Sequence, residues 1–173
     1  DSAASYRWEY TNPNYSFLNL IPNPSFEAGL WRDSVGDCNN YDDNGLIKTI
    51  LNRKEKTDGA QSLQLEATRH MACTGVTVPV KGGSVYVFSC SYQGSREAGY
   101  HLGLDSATSS SLSERLPAKK DWKQFTRTIR VPEDASKLAI TMYAYESDGV
   151  TNNINRYDNF KLIEIPDIAD TYY

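Results

Sequence analysis

Asn19-Leu-Ile-Pro-Asn-Pro-Ser-Phe-Glu27 and Arg156-Tyr-Asp-Asn-Phe-Lys-Leu-Ile163 lie near opposite ends of the chain. Each joins a β-strand pattern to one well-placed carboxylate, Glu27 in the first and Asp158 in the second. A chain whose first and last strands both end in acids can bring those acids together where its ends meet. Oxygen ligands drawn from distant points in sequence suit a hard cation such as Ca²⁺, which takes six to eight of them.

Between these stretches the signals are almost all strand signals. Leu46-Ile-Lys-Thr-Ile-Leu51 is a short β run, and residues 59–66 alternate Leu63/Leu65 against Gln64/Glu66. Residues 75–80 alternate likewise and carry Pro79, which places that strand at an edge or a strand end. A Lys81-Gly-Gly83 turn leads into 84–92, and 99–105 alternates again before the polar stretch 106–111. Residues 122–132 put Phe125, Arg127, Ile129 and Val131 on one face, where Arg127 is expected to snorkel or pair with an acid. Strands over 137–145 and 156–165 complete the set. Some eight short strands with turn residues between them, and no sustained helical period, indicate an all-β sandwich or barrel. A jelly roll is one standard way for such a chain to manage its edges.

At 173 residues the chain is long enough to bury one substantial core. Residues 1–17 lack a clear period and read as a leader or a segment of a neighbouring domain; 18–166 form the globular unit, and 167–173 read as an exit linker. The chain opens at Asp1 without Met, which leads us to expect a mature or excised piece. Asn14-Tyr-Ser16 is a formal glycosylation sequon of a kind frequent by chance. A net charge of −4 supplies no basic footprint for nucleic acid. With 12 Tyr against 5 Phe and 3 Trp, the aromatics suit either a wet binding surface or strand formation.

Three cysteines allow one pair and one left over. Cys38 and Cys73 sit in loop-like or strand-edge contexts, and bridging them would close a loop of about 36 residues, worth roughly 3.5–4 kcal/mol in the chain-entropy model. Such a bridge would imply an extracytoplasmic compartment, and three reduced cysteines are the other reading. Cys90 falls inside a strand on the Tyr86/Phe88 face and reads as a buried free thiol.

Taken in order, five segments resemble the carbohydrate-binding modules of the family 4/9/16/22 type. They are the opening Asn19–Glu27 stretch, Gly59-Ala-Gln-Ser-Leu63, residues 82–93, residues 122–132 and the closing Tyr157-Asp-Asn-Phe-Lys-Leu162. The ordered set spans about residues 18–166. The resemblance implies a β-sandwich jelly roll of two antiparallel sheets without catalysis of its own. It also implies a structural Ca²⁺ near the chain ends. Side-chain oxygens would come from Glu27 and Asp158, the backbone carbonyl from Ser25, and further oxygens from Asp58 and Gln61. The acidic stretch 37–45 only superficially resembles a calcium loop: aligned on Asn40-x-Asp42-x-Asn44-Gly45, it carries Leu51 where the bidentate Glu is needed.

Sugar recognition needs flat aromatic faces and planar polar groups, and each stacking contact over roughly 50 Å² contributes on the order of 1 kcal/mol. On 138–145, Leu138, Ile140 and Met142 take the core face and leave Thr141, Tyr143 and Tyr145 on the other. The apolar face of 99–105 leaves His101 and Asp105 opposite it. Trp31, Tyr41 and Tyr92 are further aromatics in or near loops, while Trp122 reads as structural. The position after Cys90, often Trp in the family, is Ser91 here, which argues against a β-glucan-type platform.

Enzymatic motifs do not appear. His70 and His101 lack metal-ligand spacing and nucleophile partners, the acid pairs Asp42/Asp43 and Glu133/Asp134 read as solvated rims, and no phosphate-binding glycine loop occurs. The reading is therefore an extracytoplasmic, monomeric module that binds an oligo- or polysaccharide. Its parent would be a larger protein carrying a catalytic or membrane domain, such as a glycoside hydrolase or a membrane glycosyltransferase. The alternative is a structural or protein-adhesion jelly roll without a sugar ligand.

Overall fold

The computed structural model describes residues 18–31, 47–68, 71–108, 111–145 and 152–165. Nine strands run through them: β1 (Ile47–Asn52), β2 (Ser62–Ala67), β3 (Ala72–Pro79), β4 (Val85–Gly94), β5 (Ala98–Leu104), β6 (Leu112–Leu116), β7 (Lys119–Arg130), β8 (Lys137–Ala144) and β9 (Asn153–Ile165). They form a five-stranded sheet in the order β1-β2-β9-β4-β7 and a four-stranded sheet in the order β3-β8-β5-β6. Every pairing is antiparallel. The all-β sandwich expected from the strand pattern is the fold observed.

Alternation decides which side chains meet between the sheets. Leu138, Ile140, Met142 and Ala144 of β8 are fully buried against Leu63, Leu65, Phe88, Phe160 and Leu162 of the facing sheet. Phe88 sits at the centre, within aromatic contact of Tyr100, Phe125 and Phe160. Cys90 is a buried free thiol on the same face, as its strand position indicates, and burial pushes its titration well up. Pro79 closes the edge strand β3, where its missing N–H costs no ladder bond.

Two expectations need correcting. Residues 19–27 do not form a strand: they are irregular, with bends at 21–23 and turns at 24–25 and 27–28, and with Asn23 and Phe26 at positive φ (49° and 59°). Pro22 and Pro24 remove the N–H groups a ladder would use. The segment is instead laid along β9, where Leu20 N donates to Leu162 O at 2.9 Å. The Asn19 side chain reinforces this, donating to Phe160 O and accepting from Leu162 N. The second correction is β6, which follows the polar stretch and whose Leu-Ser-Glu-Arg-Leu pattern is too short and too polar to read as a strand beforehand.

Arg127 faces inward from β7 and pairs with Glu114 of β6, whose carboxylate also accepts from Tyr100 Oη at 2.5 Å. This pair ties the two sheets at an edge where no strand ladder joins them. A break in the β4–β9 register between Ser89 and Ser91, next to Asn159 at φ 52°, marks a bulge. Because of it Tyr157 and Phe160 both enter the core, while Asp158 between them turns to the other face.

Candidate carbohydrate-binding face and acidic clasp

The outward face of the four-stranded sheet is laid out by its register. One row runs Cys73, Tyr143, Gly99, Arg115 across β3, β8, β5 and β6, and the next runs Gly75, Thr141, His101, Ser113. Cys73 and Thr141 are buried even though they lie on this face. The accessible part is therefore the β8–β5–β6 side, where Tyr143, Tyr145 and His101 are half-buried and Ser113 and Arg115 are exposed.

Tyr143 and Tyr145 stack, with ring centroids 5.6 Å apart and planes within 12°. The Tyr145 ring lies over Gly99, where a Cβ would come within 2.4 Å of its Cε2 and Oη atoms. On its other flank the Arg115 guanidinium sits 4.3 Å from the ring centroid, a cation–π contact, and Arg115 also pairs with Glu97 at 3.0 Å. Partial burial raises the Tyr145 phenol's titration, opposed by the nearby Arg115 charge.

This stack rests on a buried polar layer. Tyr157 of β9 reaches across the core, accepting from Gly99 N at 3.1 Å and donating to Tyr143 O. Asn153 donates to the carbonyls of Tyr145 (2.9 Å) and Glu97 (3.3 Å), and Asn155 donates to Glu97 O at 3.0 Å. β9 thus pins the backbone beneath Tyr143, Tyr145, Gly99 and Glu97.

Several expected ligand groups lie elsewhere. Trp31 is a core residue: its ring packs on Phe26 and Phe160 at 4.9 and 4.8 Å, and its Nε1 donates to Pro22 O. Tyr92 is likewise buried, edge-on to Phe125, because it continues the inward alternation of Tyr86, Phe88 and Cys90. Asp105 caps a turn, accepting from Lys137 N, Ser136 N and Ser136 Oγ, each at 2.7 Å. Those hydrogen bonds, led by that from Lys137 N, lower its pKa to about 2. Tyr41 and Cys38 lie outside the described residues. Arg115 and Glu97 are groups the sequence reading missed: β6 is too short and polar to read as a strand, so no alternation turned Arg115 outward.

On the outward face of the other sheet the loop 57–61 collects the expected metal-ligating residues. Asp158 is fully buried and accepts from Thr57 N (2.7 Å), Thr57 Oγ1 (3.0 Å), Asp58 N (2.9 Å) and Asn159 N (2.8 Å). Glu27 Oε1 accepts from Ala60 N and Gln61 N, and Ser25 Oγ donates to Asp58 Oδ2. The Gln61 amide donates to Phe26 O, which leaves its own oxygen available. Among the described residues none of these three carboxylates forms an ion pair. Three acids, one on this loop and two meeting it from the opening segment and β9, with no neutralising side chain among the described residues, match the donor chemistry of a hard cation. The oxygens of Glu27 and Asp158 are turned to backbone N–H groups and that of Asp58 to the Ser25 hydroxyl, and no three acidic, His or Cys side chains among the described residues form a ready-made metal cluster.

No protein-family model matches the chain, and no curated protein is significantly similar to it in sequence. Solved structures share its fold. A family 16 carbohydrate-binding module is 16% identical, with a TM-score of 0.60 over 84% of this chain and 99% of its own. The family 61 module TmCBM61, solved with β-1,4-galactotriose, is 16% identical, with a TM-score of 0.59 over 86% of this chain and 99% of its own. A tailspike protein of bacteriophage CBA120 is 12% identical, with a TM-score of 0.65, and this chain corresponds to 21% of it. The fold is thus the sandwich of carbohydrate-binding modules, the architecture that the five ordered segments resemble.

Proposed function

We propose that this chain is a non-catalytic glycan-binding module of a larger, extracytoplasmic carbohydrate-active protein, and that the outward β8–β5–β6 face receives the sugar. The observation that carries this reading is the Tyr143–Tyr145 stack flanked by exposed polar groups on a pinned strand surface. An aromatic ring, here Tyr143 backed by Tyr145, beside planar donors and acceptors is what a sugar needs, since its ring faces are apolar and its rim is hydroxylated. The fold's likeness to modules that occupy nearly their whole chains supports a binding unit, and the galactotriose held by one of them supports an oligosaccharide partner. The parent would be a glycoside hydrolase or a membrane glycosyltransferase, with the module itself monomeric.

Two accessory features belong to the proposal. A structural Ca²⁺ would be held by Glu27, Asp58 and Asp158 with the Ser25 carbonyl and the Gln61 oxygen, and would supply the charge neutralisation these acids otherwise lack. A Cys38–Cys73 disulfide would tie residue 38 to the edge strand β3.

The test is a glycan screen by array and calorimetry, with Tyr143→Ala and Tyr145→Ala alongside the parent chain. Saturable binding lost in the variants is the expected result. A silent screen in the presence of calcium would overturn the reading in favour of the adhesion alternative. For the metal, melting with and without chelator reads the clasp directly, and an unmoved Tm argues against it.

A further inference from the structure

We infer that the exposed Arg115–Glu97 pair, with Tyr145 acting as its support, selects uncharged sugars through adjacent hydroxyl groups. The inference rests on the glycan-binding reading above and deepens it.

The register fixes the order of groups across the face. Gly99 of β5 is paired with Tyr143 on one side and Arg115 on the other, and the Tyr145 ring lies over Gly99. Tyr145 is therefore flanked by the Tyr143 ring on the β8 side and by the guanidinium on the β6 side. With both flanks taken, Tyr145 does not serve as an open platform for a sugar ring. It acts as a spacer that holds the Arg115 guanidinium at the end of the face.

Arg115 and Glu97 are well exposed, with side chains 65% and 56% accessible. An exposed pair of this kind holds itself together weakly, so its outer donors and acceptors remain open to a ligand. The guanidinium is a planar fork of N–H donors, and the carboxylate is purely an acceptor. Two neighbouring sugar hydroxyls fit such a pair, one accepting from Arg115 while the other donates to Glu97. Both supports are pre-set: Asn153 and Asn155 hold the Glu97 carbonyl, and Gly99 aligns the strand opposite Arg115.

Charge decides the class of ligand. The pair is neutral as a unit, so a uronate carboxylate would gain Arg115 only by displacing or facing Glu97. His101 and Ser113 lie in the next row and add further hydrogen-bonding groups beside the pair. A neutral glycan with vicinal hydroxyls fits this surface better than an acidic one.

Calorimetry with β-1,4-galactotriose, xylotetraose and cellotetraose, set against trigalacturonate and its methyl ester, tests the proposal. At least one neutral probe should bind about tenfold or more tightly than trigalacturonate. Arg115→Gln should weaken that neutral probe about tenfold, a loss in keeping with a hydrogen bond to a charged group. Glu97→Gln should weaken the neutral probe several-fold and strengthen trigalacturonate. Both side chains are exposed, so Tm should stay within a few degrees. In NMR titration the Arg115 Nε–Hε resonance should move on saturation. Trigalacturonate binding as tightly as every neutral probe, or neutral affinity changed less than twofold in both variants, overturns this inference while glycan binding stands. If no sugar binds the parent chain, the glycan-binding reading itself falls and takes this inference with it.

Discussion

Replacing Asp158 is the sharpest test of how the clasp holds. Its carboxylate is fully buried and accepts four hydrogen bonds, three from Thr57 and Asp58 and one from Asn159. A hydrogen bond to a charged group contributes about 1.5–3 kcal/mol net. Thr57 and Asp58 are exposed residues whose freed N–H groups can return to water, so about 1 kcal/mol per bond is the better figure here. Asp158→Ala should then cost about 3–4 kcal/mol. At about 2–4 °C per kcal/mol for a chain of this size, Tm should fall by roughly 6–16 °C. Asp158→Asn keeps one acceptor oxygen but turns an NH₂ group toward N–H donors, so it should cost about half as much. Urea and thermal melts in chelator read the chain's own bonds without any metal contribution. Both variants within 1 kcal/mol of the parent chain, or Asn costing more than Ala, would refute this account.

Other consequences follow from the same contacts. Trp31→Ala should destabilise by about 3–5 kcal/mol in urea melts, the usual cost of emptying a large aromatic site, while the affinity for any bound glycan stays within twofold. Asp105 titrates at about 2, below its unfolded value, so its stabilisation is complete above roughly pH 4 and is lost as pH falls toward 2; Asp105→Asn should flatten the pH dependence of Tm in that window. Gly99→Ala places a methyl group against the Tyr145 ring, so it should abolish glycan binding with a Tm change of only a few degrees, checked by calorimetry and melting. Cys90 should resist thiol reagents in the native protein because it is buried and titrates high. In denaturant without reductant, one alkylated thiol by mass spectrometry indicates the Cys38–Cys73 bridge, and three exclude it.

The strands were legible where apolar residues alternate without interruption. Leu138, Ile140 and Met142 sorted themselves onto one face, and the polar remainder marked the face now carrying Tyr143 and Tyr145. Arg127 stood out as a charged residue on the Phe125/Ile129/Val131 face, and its acidic partner, Glu114, is present. What stayed hidden depends on long-range contact. Nothing local to Trp31 announces Phe160, more than a hundred residues away, and nothing near Asp105 announces the Ser136 and Lys137 amides it caps. Tyr92 is different: the Tyr86, Phe88, Cys90 alternation already assigned it inward, and its place near a strand end obscured that. Arg115 was lost with β6, whose two leucines are too few to set a period.

The closing stretch of β9 explains why the two candidate features coexist. Neighbouring strand residues point to opposite faces, so Tyr157 and Asp158 serve different sides of one strand. Tyr157 runs inward and binds the Gly99 and Tyr143 backbones under the aromatic stack, while Asp158 turns outward and gathers the 57–58 loop. The bulge at Asn159 then returns Phe160 to the core, where it meets Phe26 and Trp31 of the opening segment. A displacement of β9 would therefore be felt on both sides, yet a side-chain change at Asp158 alone loosens the loop without touching Tyr157. Stability and the candidate ligand face are thus served by adjacent residues that can be altered one at a time.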